Sequence, residues 1–482
     1  MRIHLTRHLL YVLLASGLIY ACANETSLAD NNESGMADAE FTASKTNYEA
    51  ICANCHGAQM QAFVDRQWKY GTAPDTLFHV IKTGLFEDTT AHSFADQLDD
   101  EAIHEMVAYI QKGIAKVEEY DFDGIEGPTG TVATEAATVL IDTIARDLSV
   151  PWGMTFLPNG DLLFTERGGQ LYRLTPSGEK QEISGVPEVL ARGQGGLLDV
   201  ELHPQFDENG WVYLSYSKSK QEGEETLSTT AIARGKLVGN RLEGTKDIFV
   251  ALPYATTRHH YGSRLAFDPE GYLYFSVGDR GNRDKNPQNL DNHCGKIHRI
   301  KDDGSIPEDN PFVAQEGAMP SIYSYGHRNP QGLAMQPGTG AIWDHEHGPR
   351  GGDEVNMIEK GKNYGWPVIS YGINYNGTTF TTDLEKADME QPDLYWVPSI
   401  APCGSTFVSG DLFPGWKGDL LVGSLRYHYI NRCIMEDGKI VGEEKLFKNI
   451  GRVRAVEESP DGHIYIAVEG PGFIFRLSPV ES

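Results

Sequence analysis

The chain has 482 residues, 40% of them apolar and 23% charged, which is enough for two folded units and excludes both a disordered chain and one embedded in a membrane through most of its length. A formal charge of −27 argues against a nucleic-acid partner, because phosphate contact needs a basic stripe and none is visible. An acidic, extracytoplasmic surface fits this balance better.

Residues 1–21 carry Arg2 and Arg7, an apolar run from Leu9 to Ile19, and Ala21 just before Cys22, the pattern of a signal peptide. Ile19-Tyr20-Ala21-Cys22 resembles a bacterial lipobox. That resemblance implies an acylated Cys22 and a lipoprotein held in the periplasm or at the outer membrane by its lipid alone; an ordinary signal peptide ending in Cys is the alternative. The polar residues 22–44 read as a solvated tether.

Cys52-Ala-Asn-Cys55-His56 is C-x-x-C-H, in which two thiols attach a haem c and the next residue supplies an axial imidazole. A zinc site would want a second ligand pair, and exported thiols seldom stay reduced. Acids at 99–101 followed by Ile103, Met106, Val107 and Ile110 at helical spacing predict a capped, amphipathic terminal helix. On these residues, 45–115 resembles class I cytochrome c domains. Where that family usually places Met-Pro-x-Phe this chain has Ala91-His92-Ser93-Phe94. His92 is therefore put first as sixth ligand, with His79 and Met60 behind it and Met106 assigned to the core.

Residues 116–137, with Gly127-Pro128 and mixed Thr/Ala, read as a linker with little to bury. Beyond it a tight turn followed by an alternating strand recurs six times, with turn glycines at 160, 210, 271, 340, 418 and 462. Hairpins of this kind cannot bury a face alone but can when stacked radially. The spacing predicts a six-bladed β-propeller over 138–482 rather than a sandwich. The predicted fold class is thus an all-β propeller with a small all-α cytochrome c domain before it.

Several polar residues have no place in a blade core. Gln194 sits in a glycine-rich turn. His259 and His260 are neighbours in an extended segment, so one of them is expected to line the channel. Asp279 and Arg280 end a strand, and Arg328, Asn329 and Gln331 form a dense polar run. Arg452 and Arg454 share a face, where without carboxylates they repel; paired anions on a planar ligand would satisfy them.

With Gly193-Gln-Gly-Gly-Leu-Leu, His260-x-Gly-x-Arg-Leu, Gly326-His-Arg-Asn-Pro-Gln-Gly-Leu, Glu346-His-Gly-Pro-Arg-Gly-Gly-Asp-Glu and Arg452-x-Arg, residues 140–480 resemble the soluble aldose sugar dehydrogenases that depend on pyrroloquinoline quinone (PQQ). The resemblance implies His260 as general base and Arg328 beside the quinone oxygen. It implies PQQ contacts from Gln194, Asn329, Tyr375, Arg426, Arg452 and Arg454, and Gln194 and Asp279 beside the sugar. Calcium is implied twice, once at the carbonyls of Gly348 and Pro349 and once at Glu354 and the backbone of Tyr364. Arg426 stands where the family often has Lys, which leaves its role open. The expected function is oxidation of an aldose at C1 to the lactone, with electrons passed to the fused haem and on to a cytochrome or respiratory-chain acceptor. A non-catalytic sugar- or protein-binding ring attached to a cytochrome is the alternative. Cys294, Cys403 and Cys433 remain, an odd number that leaves at least one free or paired between chains.

Overall fold

The structure, a computed structural model, describes residues 41–64, 68, 70–85 and 92–480. The expected signal peptide, Cys22, nearly all of the tether, and Ala91 of the sixth-ligand run lie outside the described residues. Residues 41–480 fall in one compact unit. Among the described residues, no helix is long and apolar enough to cross a membrane.

Five helices come first, at Thr42–Ile51, Ala53–His56, Gln61–Val64, Pro74–Thr83 and Asp100–Glu118. The last is capped as expected: the Asp99 carboxylate accepts from the backbone N–H of Ala102 at 2.9 Å, satisfying one of the helix's orphan donors. Its Ile103, Met106, Val107 and Ile110 are buried against Tyr48, Val64 and Leu77. Burying each such side chain contributes about 1.5–3 kcal/mol, which is what a small helical unit of this size has to work with.

Twenty-five strands follow. The first five blades are four-stranded and sequential, beginning at Pro151–Phe156, Leu197–Leu202, Leu265–Phe267, Pro330–Met335 and Pro402–Phe407. The sixth joins both ends of the ring: Val453–Glu458, Ile464–Val468 and Phe473–Pro479 pair on to Thr138–Ala145 and then Gly130–Ala133. Val139 lies opposite Pro479 and Ile141 opposite Leu477, so the chain's last strand is held by a strand formed before the first blade. The first strands of neighbouring blades touch all the way round, and the sixth touches the first.

Each of the six turn glycines joins the first and second strands of its blade, with positive φ from 69° to 93°. The second strands are buried on both faces rather than alternating, as in Leu162–Glu166 and Leu273–Val277. Each blade is sandwiched between two others: Leu163 and Leu171 pack on Val212 and Leu214, and Tyr213 and Ile232 on Leu273 and Phe275.

The expected linker is corrected in three places. The terminal helix runs to Glu118, Gly130–Ala133 is a strand, and Phe122 is buried with Tyr429 while Tyr120 stacks on Tyr427 at 4.6 Å. The aromatics of 120–122 tie the helical domain to the fifth blade. Likewise Thr42–Ser44, expected at the end of the tether, begin the first helix. Cys294, Cys403 and Cys433 are all free and buried.

Candidate active site

Loops from all six blades converge on a cavity of about 410 Å³ at one end of the channel, lined among others by Trp152, Gln194, Tyr261, Asn329, Pro349, Tyr375, Arg426, Arg452 and Arg454. That size suits a cofactor with part of its substrate. The Gln194 turn needs glycine before it: Gly193 has φ +63°, and a Cβ there would lie 2.5 Å from the carbonyl oxygen of Arg258.

His260 sits beside this cavity, bonded to one lining residue, Gln194, and followed in the chain by another, Tyr261. Its Nδ1 is 2.7 Å from Asp279 Oδ1, its backbone N–H donates to Gln194 Oε1 at 2.7 Å, and its side chain is 14% exposed. Since a carboxylate can only accept, the proton sits on Nδ1 and the lone pair on Nε2. His259 is the exposed neighbour, bonded to Thr257 at 2.9 Å. Burial, assisted by the Arg328 charge, lowers the pKa of His260 to about 4 although Asp279 pulls the other way. The imidazole is therefore neutral at physiological pH, well below the working-pH value expected of a general base.

Asp279, expected beside the sugar, is held behind His260. It is 1% exposed; Oδ1 also accepts from the Gly281 N–H at 2.7 Å, and Oδ2 accepts from the Trp366 indole at 2.9 Å. With both oxygens engaged, it is a positioning residue for His260. Arg328 donates to the carbonyls of His347 and Gly348 at 2.9 and 2.7 Å and to the Tyr375 hydroxyl at 3.2 Å.

Arg452 and Arg454 are not left to repel each other. Glu469 accepts from Arg452 Nε at 2.6 Å and from Arg454 Nε at 2.7 Å, which aligns both guanidinia and leaves part of each toward the cavity. The expectation that a ligand alone satisfies the pair is corrected accordingly. Donors and cations dominate this end of the cavity, the chemistry a polycarboxylate quinone requires.

For calcium, the donor sets differ. Gly348 offers its carbonyl, already accepting from Arg328, and a carbonyl has a second lone pair. Around Glu354 the fit is closer. Glu346 lies opposite Glu354 and Asp344 opposite Asn356 on adjacent strands, so all four side chains share one face. Neither Asp344 oxygen has a hydrogen-bond partner, and His327, Asp344 and Glu346 bring ligand atoms within 4.8 Å of one another. Burial and the neighbouring Glu346 push the Glu354 carboxyl well above its ordinary range. An oxygen-rich, largely buried cluster of this kind is what a hard cation stabilises. The Tyr364 ring stacks on His327 at 4.7 Å.

A second cavity, of about 450 Å³, lies in the helical domain and is lined by Cys52, Cys55, His56, Phe63, Trp68, His92 and Phe94, with Arg350, Asn376 and Gly377 from the propeller. The thiols are free. His56 and His92 face each other with ring centroids 5.7 Å apart, and His92 Nδ1 is buried without a hydrogen-bond partner, as a nitrogen kept for a metal would be. Burial, then the neighbouring His92 and Arg350, lower the His56 pKa to about 4, keeping it neutral for ligation. The other sixth-ligand candidates point elsewhere: the Met60 sulfur packs on Gly113, and His79 bonds Thr83. His92→Ala is expected to turn a low-spin oxidised haem high-spin, read in the visible spectrum; an unchanged low-spin spectrum would return the choice to Met60 or His79.

The family model described as glucose/sorbosone dehydrogenase matches residues 148–476, about two thirds of the chain. The chain belongs to that family. A second model, described as cytochrome c oxidase, cbb3-type, subunit III, matches 39–110, so a cytochrome c domain precedes the dehydrogenase propeller. Aldose sugar dehydrogenase YliI of Escherichia coli is 40% identical over 353 residues, covering 71% of this chain and 94% of that one. A solved glucose dehydrogenase superposes with a TM-score of 0.68 at 40% identity, covering 71% and 99% of the two chains. The PQQ-bound aldose sugar dehydrogenase of Streptomyces coelicolor superposes with a TM-score of 0.58 at 26% identity, covering 73% and 99%. The protein is an oxidoreductase of the aldose and glucose dehydrogenase type.

Within this family frame, five functional neighbours were not singled out from the sequence. Glu469 lies 17 and 15 residues from the arginines it holds and Trp366 lies 87 from Asp279, and no local spacing pattern links either to its partner. Asp353 fixes the calcium-candidate turn by accepting from the Gly348 N–H at 2.8 Å and the Ala401 N–H at 2.7 Å; it too acts across blades. Asp344 and Glu346 were detectable, because i and i+2 in a strand share a face.

Proposed function

We propose that the protein is a quinohaemoprotein that oxidises an aldose at its anomeric carbon to the lactone, with PQQ and calcium in the propeller cavity and haem c as the first electron acceptor. When bound, PQQ supplies a two-electron hydride acceptor polarised by calcium, and haem c a one-electron acceptor. His260 Nε2 takes the proton of the anomeric hydroxyl, and Asp279 holds the Nδ1–H and stabilises the imidazolium that results. Arg328 presents positive charge where negative charge develops. Arg452, Arg454 and Arg426 bind carboxylates, Asn329 and Tyr375 complete the cofactor cradle, and Gln194 anchors both the His260 backbone and the sugar. Gly348 and Pro349 hold the catalytic calcium by their carbonyls, and Glu354 with the Tyr364 backbone holds the structural one.

The observation that carries this reading is the neutral, Asp-oriented His260, bonded to the cavity residue Gln194, beside a cavity that two aligned arginines line. A ring that only binds sugar or protein has no use for a base and anion clamps together. Export and anchoring through Cys22 complete the proposal, placing the enzyme outside the cytoplasm, where it hands electrons to a respiratory-chain acceptor. The test is to add PQQ and calcium to protein carrying haem alone and to screen aldoses for haem reduction. Reduction that needs all three additions supports the reading; no reduction with any aldose contradicts it.

A further inference from the structure

The two cavities share two wall segments, along which consecutive residues line first one cavity and then the other. Gly348 and Pro349 line the quinone cavity, and the next residue, Arg350, lines the haem cavity. The same alternation occurs at Tyr375, on the quinone side, and Asn376 and Gly377, on the haem side. Consecutive Cα atoms are about 3.8 Å apart. The two segments are bound to each other: Arg350 N–H donates to Ile373 O and Ile373 N–H to Arg350 O, both at 3.1 Å.

The helical domain is seated on these same segments. Arg350 Nη2 donates to the Ala62 carbonyl at 2.5 Å, Gln61 donates to the Tyr371 carbonyl, and Thr379 donates to the carbonyl of Asn54, between the two haem-attaching cysteines. Arg350 is 4% exposed. Among the described residues lining the haem cavity it alone carries a permanent charge, the rest being apolar or neutral side chains and two histidines. Haem c carries two propionate carboxylates, and a guanidinium is the planar donor that matches a carboxylate best.

We propose that Arg350, supplied by the propeller, binds a propionate of the haem carried by the cytochrome domain, making the haem itself the clamp that holds its edge against the shared wall. This rests on the haem reading of Cys52, Cys55 and His56. Sugar-derived electrons then leave the quinone cavity across Pro349–Arg350 and Tyr375–Asn376 rather than through solvent.

The test uses full-length holoprotein with Arg350→Gln and Arg350→Lys, and reads the haem midpoint potential by spectroelectrochemical titration without sugar. A cation beside the haem stabilises the added electron, so Arg350→Gln lowers the potential, Arg350→Lys restores most of it, and the first-order rate of sugar-driven haem reduction falls in the Gln variant. If the Gln variant does not take up haem, the Lys variant, which keeps the charge but not the fork, still shifts the propionate bending mode in the resonance Raman spectrum. An unchanged potential in Arg350→Gln at normal haem content, or an unchanged bending mode in Arg350→Lys, overturns the proposal. Failure of the underlying readings looks different: wild-type protein without covalent haem refutes the haem assignment, and wild-type haem that sugar does not reduce refutes the electron route while leaving the potential shift intact.

Discussion

Replacing His260 with Ala is expected to lower kcat at least about 100-fold, the usual scale for loss of a general base, while PQQ affinity changes little. The cofactor's carboxylates are assigned to Arg452 and Arg454, which Glu469 holds, whereas His260 is held by Asp279, so cofactor binding and proton removal are separable. Asp279→Asn should cost less than His260→Ala, because it leaves the base in place and disturbs its tautomer. The pH profile carries the same signature. The base works only when neutral, and burial with the Arg328 charge holds its pKa to about 4; activity in the free enzyme is therefore lost as pH falls through that value and is level above it. Steady-state rates across pH in wild type and His260→Ala check both statements, and a comparable loss in His259→Ala alone would mean that the other histidine is the base.

A second large effect is expected from Cys52→Ala combined with Cys55→Ala. Without the thiols no thioether can form, so the denatured protein loses all covalently bound haem, and sugar-driven reduction of a c-type haem disappears. The propeller should survive, since its inter-blade clusters share no residue with the cytochrome core, against which the propeller packs only the partly buried Val397 among the described residues of these clusters. A haem stain of the denatured polypeptide and far-ultraviolet circular dichroism check the two halves. Persistence of the stain in the double variant would place attachment elsewhere.

What the sequence made legible follows from how local each signal is. The six turn glycines marked all six first hairpins because a left-handed turn needs glycine at one position, and C-x-x-C-H is contiguous. The closure of the ring was hidden: nothing in Thr138–Ala145 says that it pairs with Phe473–Pro479, some 330 residues away, nor in Gly130–Ala133 that it becomes the outer strand beside it. Shorter separations were enough to hide Glu469, 17 and 15 residues from the two arginines, and Trp366, 87 residues from Asp279. The linker was misread because Tyr120 and Phe122 lie in a polar context whose partners, Tyr427 and Tyr429, belong to another blade. The burial that lowers the His260 pKa is likewise a property of the assembled channel, invisible in a neighbourhood of polar residues.

The central claim is that the propeller reduces its own haem. The two cavities share a wall, and even a flexible tether would give an effective concentration in the millimolar range, so reduction should be intramolecular. Protein loaded with PQQ and calcium, mixed with its sugar in a stopped-flow instrument, should show one first-order phase of haem reduction whose rate is unchanged over about a hundredfold range of protein concentration. A rate that rises in proportion to protein concentration would contradict the account, because the haem would then be serving donors on other molecules.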